Sequence, residues 1–230
     1  MVSDLLQSIP DYRPPLLHRS AFLSSVLPNK LRKPQAPVYT RQRAELPDGD
    51  FIDLDWIQQG NSRLAILMHG LEGSSQSTYI RGMAGALARN GYDVLAMNHR
   101  SCSEEMNRLP VAYHAGRTQD LLWTVEHLTT AYSRVVVIGY SLGANMSLVA
   151  AGRDQLHQFT QVKAVVAVSV PCDLLESSAM WNQRRFSVIL PYFVKQLRTK
   201  VERKKALLPD LPVDMNAIAR SKTFFDFDDH

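Results

Sequence analysis

The chain has 230 residues, of which 45% are hydrophobic and 21% are charged, and its formal net charge is +4. This composition is too apolar for a disordered chain and suits one globular domain. Its two cysteines cannot make a disulfide framework, and no apolar run approaches the roughly 20 residues that span a bilayer. The basic residues are mostly spread along the chain, which argues against a nucleic-acid-binding protein.

The first residues indicate where the protein works. Met1–Asp4 lack a basic start followed by an apolar stretch, so no secretory signal is predicted. Two free cysteines, Cys102 and Cys172, suit a reducing compartment. We therefore expect a cytoplasmic protein.

Prolines dominate the first segment, and a hairpin follows it. Residues 1–36 contain five prolines and are predicted to form an irregular arm that packs across the domain. After residue 38, alternating apolar and polar residues lie on both sides of Pro47-Asp48-Gly49. This period-2 pattern around a turn predicts a β-hairpin from 38 to 57.

From residue 64 the pattern alternates between strands and helices. Apolar strands are predicted at 64–68, 92–97, 135–138 and 162–170, with helices at about 80–88, 121–128 and 142–151 between them. Such alternation predicts a mostly parallel sheet with helices on both faces. We expect a single domain with an arm at 1–36, a core at 38–170 and a helical, lid-like cap at 171–230.

The motif that carries chemistry is Gly139-Tyr-Ser-Leu-Gly143. It joins an apolar strand to a helix, which is the setting that a G-x-S-x-G nucleophile elbow requires. Gly139 and Gly143 flank Ser141 and allow the strained turn to pack tightly. Ser141 is therefore the predicted nucleophile. The alternative is a serine in an ordinary turn.

A nucleophilic serine also needs donors for the oxyanion. One is the backbone N–H of Leu142, and the second is expected from the loop after an earlier strand. His69-Gly-Leu-Glu-Gly-Ser74 lies at that place, and Gly70 would let it approach Ser141. We predict the Leu71 N–H as the second donor and assign His69 a loop-shaping hydrogen bond, with a base as the alternative.

Together these motifs resemble the YheT-like branch of the α/β-hydrolase superfamily, which includes bacterial esterases and eukaryotic acylglycerol and phospholipid lipases. The matching segments run in order along the chain: 45–50, 69–74, 98–103, 107–108, 113–120, 139–145 and 225–229. The resemblance implies an α/β-hydrolase fold and hydrolysis of carboxylic acyl esters. Ser101 departs from the family, which usually has glycine there, and predicts a different backbone angle.

The resemblance also implies parts that the chain lacks. In the family, the catalytic acid and histidine follow two further strands, whereas only about six of about eight strands can be counted here. We expect a chain truncated at its C-terminus, with residues 162–170 left as an exposed apolar edge. Loss of the base costs on the order of 10⁶ in turnover.

Histidines and an aspartate within the chain could in principle replace the missing catalytic base and acid. The histidines lie at positions 18, 69, 99, 114, 127, 157 and 230. His127 and His157 are predicted at the surface, His99 and His114 in structural hydrogen bonds, and His230 at a frayed end. Asp173, which follows the fourth parallel strand, is a candidate acid.

The tail combines an apolar helical stripe with basic residues between 184 and 205, opposed only by Glu202. Such a segment either contacts anionic membranes peripherally or forms a solvated lid face. No clustered His, Cys and Asp residues predict a metal, and no cofactor is implied.

Three functions therefore compete. The first is a serine hydrolase of acyl esters or lipids that resembles acylglycerol lipases and short-chain esterases. The second is a catalytically incomplete protein that binds lipids or partners. The third is a thioesterase or another acyl hydrolase, since the elbow does not specify the leaving group.

Overall fold

The structure is a computed structural model, and it describes residues 13–16, 19–20, 23–24, 31, 34–35, 37–153, 155–183 and 189–228. The chain divides into two compact units, residues 1–35 and residues 36–230. Most of the predicted arm lies outside the described residues, so its packing stays a prediction. The second unit contains all the elements discussed below.

Six strands form one sheet, as the sequence predicts. They are β1 (Thr40–Glu45), β2 (Phe51–Ile57), β3 (Arg63–Met68), β4 (Asp93–Met97), β5 (Arg134–Tyr140) and β6 (Val162–Val168). Their order in the sheet is β1-β2-β4-β3-β5-β6. The β1–β2 hairpin and the β2–β4 pair are antiparallel, and β4, β3, β5 and β6 are parallel.

The helices lie between and after the parallel strands. Those between the strands are α1 (Thr78–Arg89), α2 (Gln119–Leu128) and α3 (Leu142–Gly152). Those after β6 are α4 (Leu174–Trp181), α5 (Ile189–Leu207), α6 (Met215–Arg220) and α7 (Phe224–Asp228). The described part of residues 171–230 therefore contains helices, and its assignment as a lid-like cap stays a prediction. No helix among the described residues is long and apolar enough to cross a membrane.

The side-chain alternation of β3 explains why helices cover both faces of the sheet. Ile66 and its neighbours at 64 and 68 pack in one buried cluster with residues of α2 and α3. Leu67 packs in a second cluster with Ile80 and Ala84 of α1. Because successive side chains of a strand point to opposite faces, the apolar run of β3 requires a helix on each side.

Strand β6 is shorter than predicted. It ends at Val168 because Ser169 turns into the left-handed region with φ of +53°. It lies at the edge of the sheet, and Ala164 and Val166 are exposed. The register pairs Tyr140 of β5 with Val168 of β6, so the two strands end at the same level.

A buried arginine ties the hairpin turn to α2. The guanidinium of Arg100 donates two hydrogen bonds of 2.8 Å to the carboxylate of Asp120. It also contacts Asp48 at 2.8 Å and Asp50 at 3.2 Å. Burial opposes the charge, but these carboxylates hold the pKa of Arg100 above its ordinary value. This network fixes the chain that leaves β4.

The neighbouring Ser101 does not avoid the backbone region that glycine favours. Its φ is +59°, and its N–H donates to Oδ1 of Asn107. Asn107 in turn donates its N–H to the Ser101 hydroxyl at 3.2 Å. These bonds stabilise a left-handed conformation in a residue with a Cβ. The expectation that serine would change the loop away from a glycine-like angle is therefore wrong.

Candidate active site

Ser141 occupies a strained turn directly between β5 and α3. Its φ is +50° and its ψ is −116°, which are values that a residue with a side chain rarely adopts. Its N–H donates to the carbonyl of Val168 at 2.9 Å, and its own carbonyl accepts from the Asn145 N–H at 3.0 Å. Strand β6 and the first turn of α3 thus hold the strain, while the Ser141 side chain remains exposed.

The glycines on either side of Ser141 leave no space for a side chain. A Cβ atom on Gly139 would lie 2.4 Å from the carbonyl oxygen of Gly143. A Cβ on Gly143 would lie 2.5 Å from the carbonyl oxygen of His69. Residues 139–143, called the elbow from here on, can therefore pack against β3 only with glycine at both positions.

The 69–74 loop lies against the elbow. A Cβ atom on Gly70 would lie 3.1 Å from the Cβ of Ser141. Hydroxyl groups hold the loop on both sides of Leu71, because the Gly70 N–H donates to Tyr79 at 3.0 Å and the Glu72 N–H donates to Tyr113 at 2.8 Å. Two tethered amides thus flank Leu71 in a loop that touches the nucleophile.

Two backbone donors in this region are left over. Across the ranges that the structure describes, no acceptor is found for the N–H of Leu71 or for the N–H of Leu142. Leu142 is the first residue of α3, where N–H groups have no partner within the helix. Leftover N–H groups of this kind can bind an oxygen that carries negative charge.

His69 is buried and both of its ring nitrogens are occupied by backbone groups. Its Nε2 accepts from the His99 N–H at 3.1 Å, so the ring proton must lie on Nδ1, which donates to the Gly70 carbonyl at 2.7 Å. Burial, and secondly the nearby His99, hold the pKa of His69 well below its ordinary value. His69 is therefore a neutral residue that braces the loop, and it has no nitrogen free for Ser141.

The other described histidines do not contact Ser141 either. The ring of His99 bonds to the His69 carbonyl at 2.9 Å, and burial lowers its pKa to about 4. His114, His127 and His157 are exposed. His18 and His230 lie outside the described residues. Within the part of the chain that the structure covers, Ser141 thus has no histidine as a hydrogen-bond partner.

Asp173 acts as a helix cap in this structure. Its Oδ1 accepts the N–H of Glu176 at 2.8 Å and so caps the N-terminus of α4. The segment before it is tied to α3, because the Asn145 side chain donates to the Pro171 carbonyl at 2.9 Å. Asp173 therefore has a structural role in this fold, and a role as the catalytic acid stays a prediction.

Several basic residues of α5 bind protein groups and do not face solvent or a membrane, as the sequence had predicted they would. Lys200 binds Glu72 at 2.7 Å, and Lys204 is buried with Nζ on the carbonyls of Asn107 and Leu109. Lys205 and Arg203 also donate to backbone carbonyls, whereas Lys195 is exposed. Arg184 and Arg185 lie outside the described residues. The prediction that only Glu202 offsets the positive charge of this segment is therefore wrong, because Glu72 pairs with Lys200.

Sequence reasoning did not find three residues that hold the 69–74 loop. Tyr79 and Tyr113 bind its amides, and Lys200 binds the Glu72 side chain. The signal available in the sequence was a glutamate in a short glycine-rich loop, since a carboxylate that becomes buried requires a partner. In the described ranges, no three His, Cys, Asp or Glu side chains are grouped as a metal site would require.

Comparison with known proteins identifies the family. The model of the alpha/beta hydrolase fold family matches residues 66–207, which include the 69–74 loop, the elbow and α5. The chain belongs to the alpha/beta hydrolase fold family. This membership confirms the fold class that the sequence predicted, and it agrees with the sheet and its flanking helices.

The resemblance to YheT is also confirmed. The chain is 35% identical over 219 residues to a protein of Escherichia coli (strain K12) named "Putative esterase YheT", covering 90% of this chain and 62% of that protein. It is 24% identical over 202 residues to "Phospholipase ABHD3" of Mus musculus, covering 83% of this chain and 48% of that protein. The chain thus spans between about half and two thirds of the length of these relatives.

A solved structure shows the same fold. The Pyrococcus furiosus esterase Pf2001 superposes with a TM-score of 0.53 at 25% sequence identity. The match covers 77% of this chain and 65% of that chain. The sheet and helices described above therefore form a known hydrolase framework.

Proposed function

We propose that the chain carries the nucleophile and the oxyanion donors of a serine hydrolase that acts on carboxylic acyl esters. The observation that carries this proposal is the contact of the 69–74 loop with the elbow, where Gly70 would place a Cβ 3.1 Å from Ser141. Two N–H groups support it as well, because neither the Leu71 N–H of this loop nor the Leu142 N–H next to Ser141 has an acceptor among the described residues.

In the proposed reaction, the hydroxyl of Ser141 attacks the ester carbonyl and forms a tetrahedral intermediate. Its oxyanion is held by the N–H groups of Leu71 and Leu142, and collapse releases the alcohol and leaves an acyl-enzyme. Water then attacks the acyl carbon, the bond from that carbon to the serine oxygen breaks, and the carboxylic acid leaves as Ser141 regains its proton. Each oxyanion donor is expected to contribute a factor of about 10²–10³ in rate.

The hydroxyl needs a base, because serine is a weak nucleophile while it keeps its proton. The described histidines are either exposed or bound to backbone groups, as His69 and His99 are. We propose that the base and its acid partner come from outside the described residues. Asp173 stays a weaker candidate for the acid, since its carboxylate already caps α4.

The substrate is proposed to be an acyl ester or lipid of the class suggested by the names of the relatives, an esterase and a phospholipase. Hydrolysis of p-nitrophenyl esters from two to sixteen carbons tests both the reaction and the acyl length. We expect turnover that the Ser141→Ala change reduces by a factor on the order of 10⁶. Equal rates in the native protein and S141A would reject the proposal.

The alternative, a lipid-binding or interaction module on the same framework, is favoured by one observation. Across the described ranges, no base reaches Ser141, so the hydroxyl is not activated there. Lipid that binds to a folded protein without any hydrolysis would support this alternative.

We also propose peripheral membrane contact through residues 184–205. Fewer basic residues are available for this contact than the sequence indicated. Lys200 and Lys204 are engaged with protein acceptors, which leaves Lys195 and Arg198 of α5 as candidates. Sedimentation with anionic and neutral vesicles tests it, and preferential binding to the anionic vesicles is expected. Negligible binding to both would reject the proposal.

A further inference from the structure

Glu72 is a buried carboxylate next to the proposed oxyanion donor. Its side chain is 5% exposed, and its φ of +53° lies in a region that glutamate rarely adopts. The Leu71 N–H lies in the peptide plane that joins Gly70 to Leu71, and the chain is held on its other side at Glu72. A group that fixes Glu72 therefore restrains the segment that carries this donor.

Tyr113 holds Glu72 by its backbone and its side chain at once. The Tyr113 hydroxyl accepts the Glu72 N–H at 2.8 Å and donates to Oε1 of the same residue at 2.7 Å. The tyrosine ring stacks on His99 with centroids 5.1 Å apart, and His99 in turn binds His69 at the start of the loop. Burial raises the pKa of Tyr113 well above its ordinary value, so the hydroxyl keeps its proton.

Lys200 reaches the same carboxylate from α5, on the far side of the elbow in sequence. Its Nζ donates to Oε1 of Glu72 at 2.7 Å and to the sulfur of Cys102 at 3.1 Å. It also lies 5.0 Å from the centre of the Tyr113 ring. The Lys200 side chain is 18% exposed, so this ion pair is largely shielded from water.

The ion pair is not the only attachment of α5 to the core. One turn along the helix, Lys204 is buried and donates to the carbonyl oxygens of Asn107 at 2.5 Å and Leu109 at 2.6 Å. Because Lys204 holds the helix independently, loss of Lys200 would affect the Glu72 carboxylate without releasing the whole helix.

Lys200 is the positive charge that neutralises the Glu72 carboxylate. The other titratable groups close to the pair are neutral donors, a neutral thiol and neutral rings: Tyr113, Cys102, His69 and His99. None of them can neutralise a carboxylate. Without Lys200, Glu72 would be a buried charge without a counter-ion, and the loop would have to move to bring it to water.

We propose that Lys200 is a positioning residue, which holds the 69–74 loop through Glu72 so that the Leu71 N–H faces the oxyanion. The inference rests on the proposed function, because it gives the cap helix α5 a part in assembling that site. Lys200 acts through Glu72 and touches no reacting atom.

Hydrogen exchange and steady-state kinetics test this role in the whole protein. In Lys200→Met, we expect the peptide 69–74 to exchange at least about tenfold faster. We also expect kcat on a p-nitrophenyl ester to fall about tenfold or more while KM changes less than about twofold. The double variant E72Q/K200M removes both charges and keeps an acceptor for Tyr113, so it should restore protection and most of kcat.

The control is Thr199→Met, which places the same new side chain at an exposed position of the same helix and should change neither measurement. Native protection of the 69–74 peptide in folded K200M would overturn the inference, as would an equal loss of protection in T199M. If K200M fails to fold while E72Q/K200M folds, the unpaired carboxylate is the cause, which supports it. Exchange is read without turnover, so a finding that S141A is fully active would reject the proposed function and leave this test intact.

Discussion

Gly143 of the elbow and His69 of the 69–74 loop are in backbone contact, and a Cβ atom on Gly143 would lie 2.5 Å from the His69 carbonyl oxygen. The carbonyl oxygen of Met68 would be 2.7 Å away. Neither neighbour is a flexible side-chain end, so neither can give way without moving β3. The nucleophile and its proposed oxyanion loop are thus held together by a contact that allows only glycine.

The Gly143→Ala change should therefore destabilise the protein by about 1–3 kcal/mol, the range of overpacked cores, and displace the elbow. The matched control is Gly152→Ala at the end of α3, where a Cβ would meet nothing within 4 Å. That change should be neutral or slightly stabilising. Urea unfolding monitored by tryptophan fluorescence measures both, and equal stability of the two variants would contradict the packing described for the elbow.

The buried arginine network gives a second prediction. Arg100→Met leaves Asp120 and Asp50 without the guanidinium that they share, and breaking a buried pair in this way costs about 3–5 kcal/mol. Arg108→Met removes an arginine whose pair with Glu45 is exposed, so the unfolding midpoint should hardly change. If R100M and R108M unfold at the same denaturant concentration, the network does not support the loops around the site.

The buried histidine pair predicts how stability depends on pH. Burial lowers the pKa of His99 to about 4, whereas the unfolded imidazole titrates near 6.5. Between these values the unfolded chain binds more protons than the folded chain, so stability falls as the pH decreases from about 6.5 to about 4, by about 1.4 kcal/mol per pH unit for each such histidine. The pKa values of Asp53 and Asp55 are lowered in the folded protein, so protonation of these carboxylates reduces stability mainly below this pH range.

Unfolding free energies at pH 7.5, 6.5, 5.5 and 4.5 test this dependence. His99→Gln should reduce the slope, while His127→Gln, at an exposed position, should not. An unchanged slope in H99Q would show that His99 is solvated or already charged in the folded protein.

The two cysteines should differ in reactivity. Cys102 is shielded, and burial, opposed in part by the nearby Lys200, raises the pKa of its thiol, whereas Cys172 is exposed. Iodoacetamide at pH 7.5 should therefore label Cys172 first and Cys102 only after unfolding, because the thiolate is the reactive species. Mass spectrometry of the two peptides over time measures this order, and labelling of both at the same rate would show that the Cys102 thiol is not shielded.

The elements that depend on local patterns could be predicted from the sequence. The strand before the elbow, the helix after it and the glycines at 139 and 143 all follow from periodicity and from the steric limits of one turn. The contact between Gly70 and Ser141 was also expected, because strands β3 and β5 are parallel and their carboxyl ends meet at one edge.

The contacts between distant segments could not be predicted. Lys200 and Glu72 are 128 positions apart, so no pattern of neighbouring residues indicates that they form an ion pair. The lysines of α5 were assigned to a solvated or membrane-facing surface because lysine is usually exposed, yet Lys204 is buried where its ammonium finds two backbone carbonyls. Asp173 was predicted only as a candidate acid, and the structure shows that its carboxylate caps α4.

Ser141 is proposed to act as the nucleophile beside the N–H groups of Leu71 and Leu142, which have no acceptor in the described ranges. A fluorophosphonate, which reacts with activated serines, tests this role. The protein is produced from its own gene and treated with the reagent, and mass spectrometry then identifies the modified peptide. The control is Ser169→Ala, since Ser169 is also exposed after a strand and has φ of +53°. We expect one modified residue, Ser141, with labelling lost in S141A and kept in S169A. A folded protein that stays unlabelled, or a label on another serine, would show that Ser141 is not the activated nucleophile.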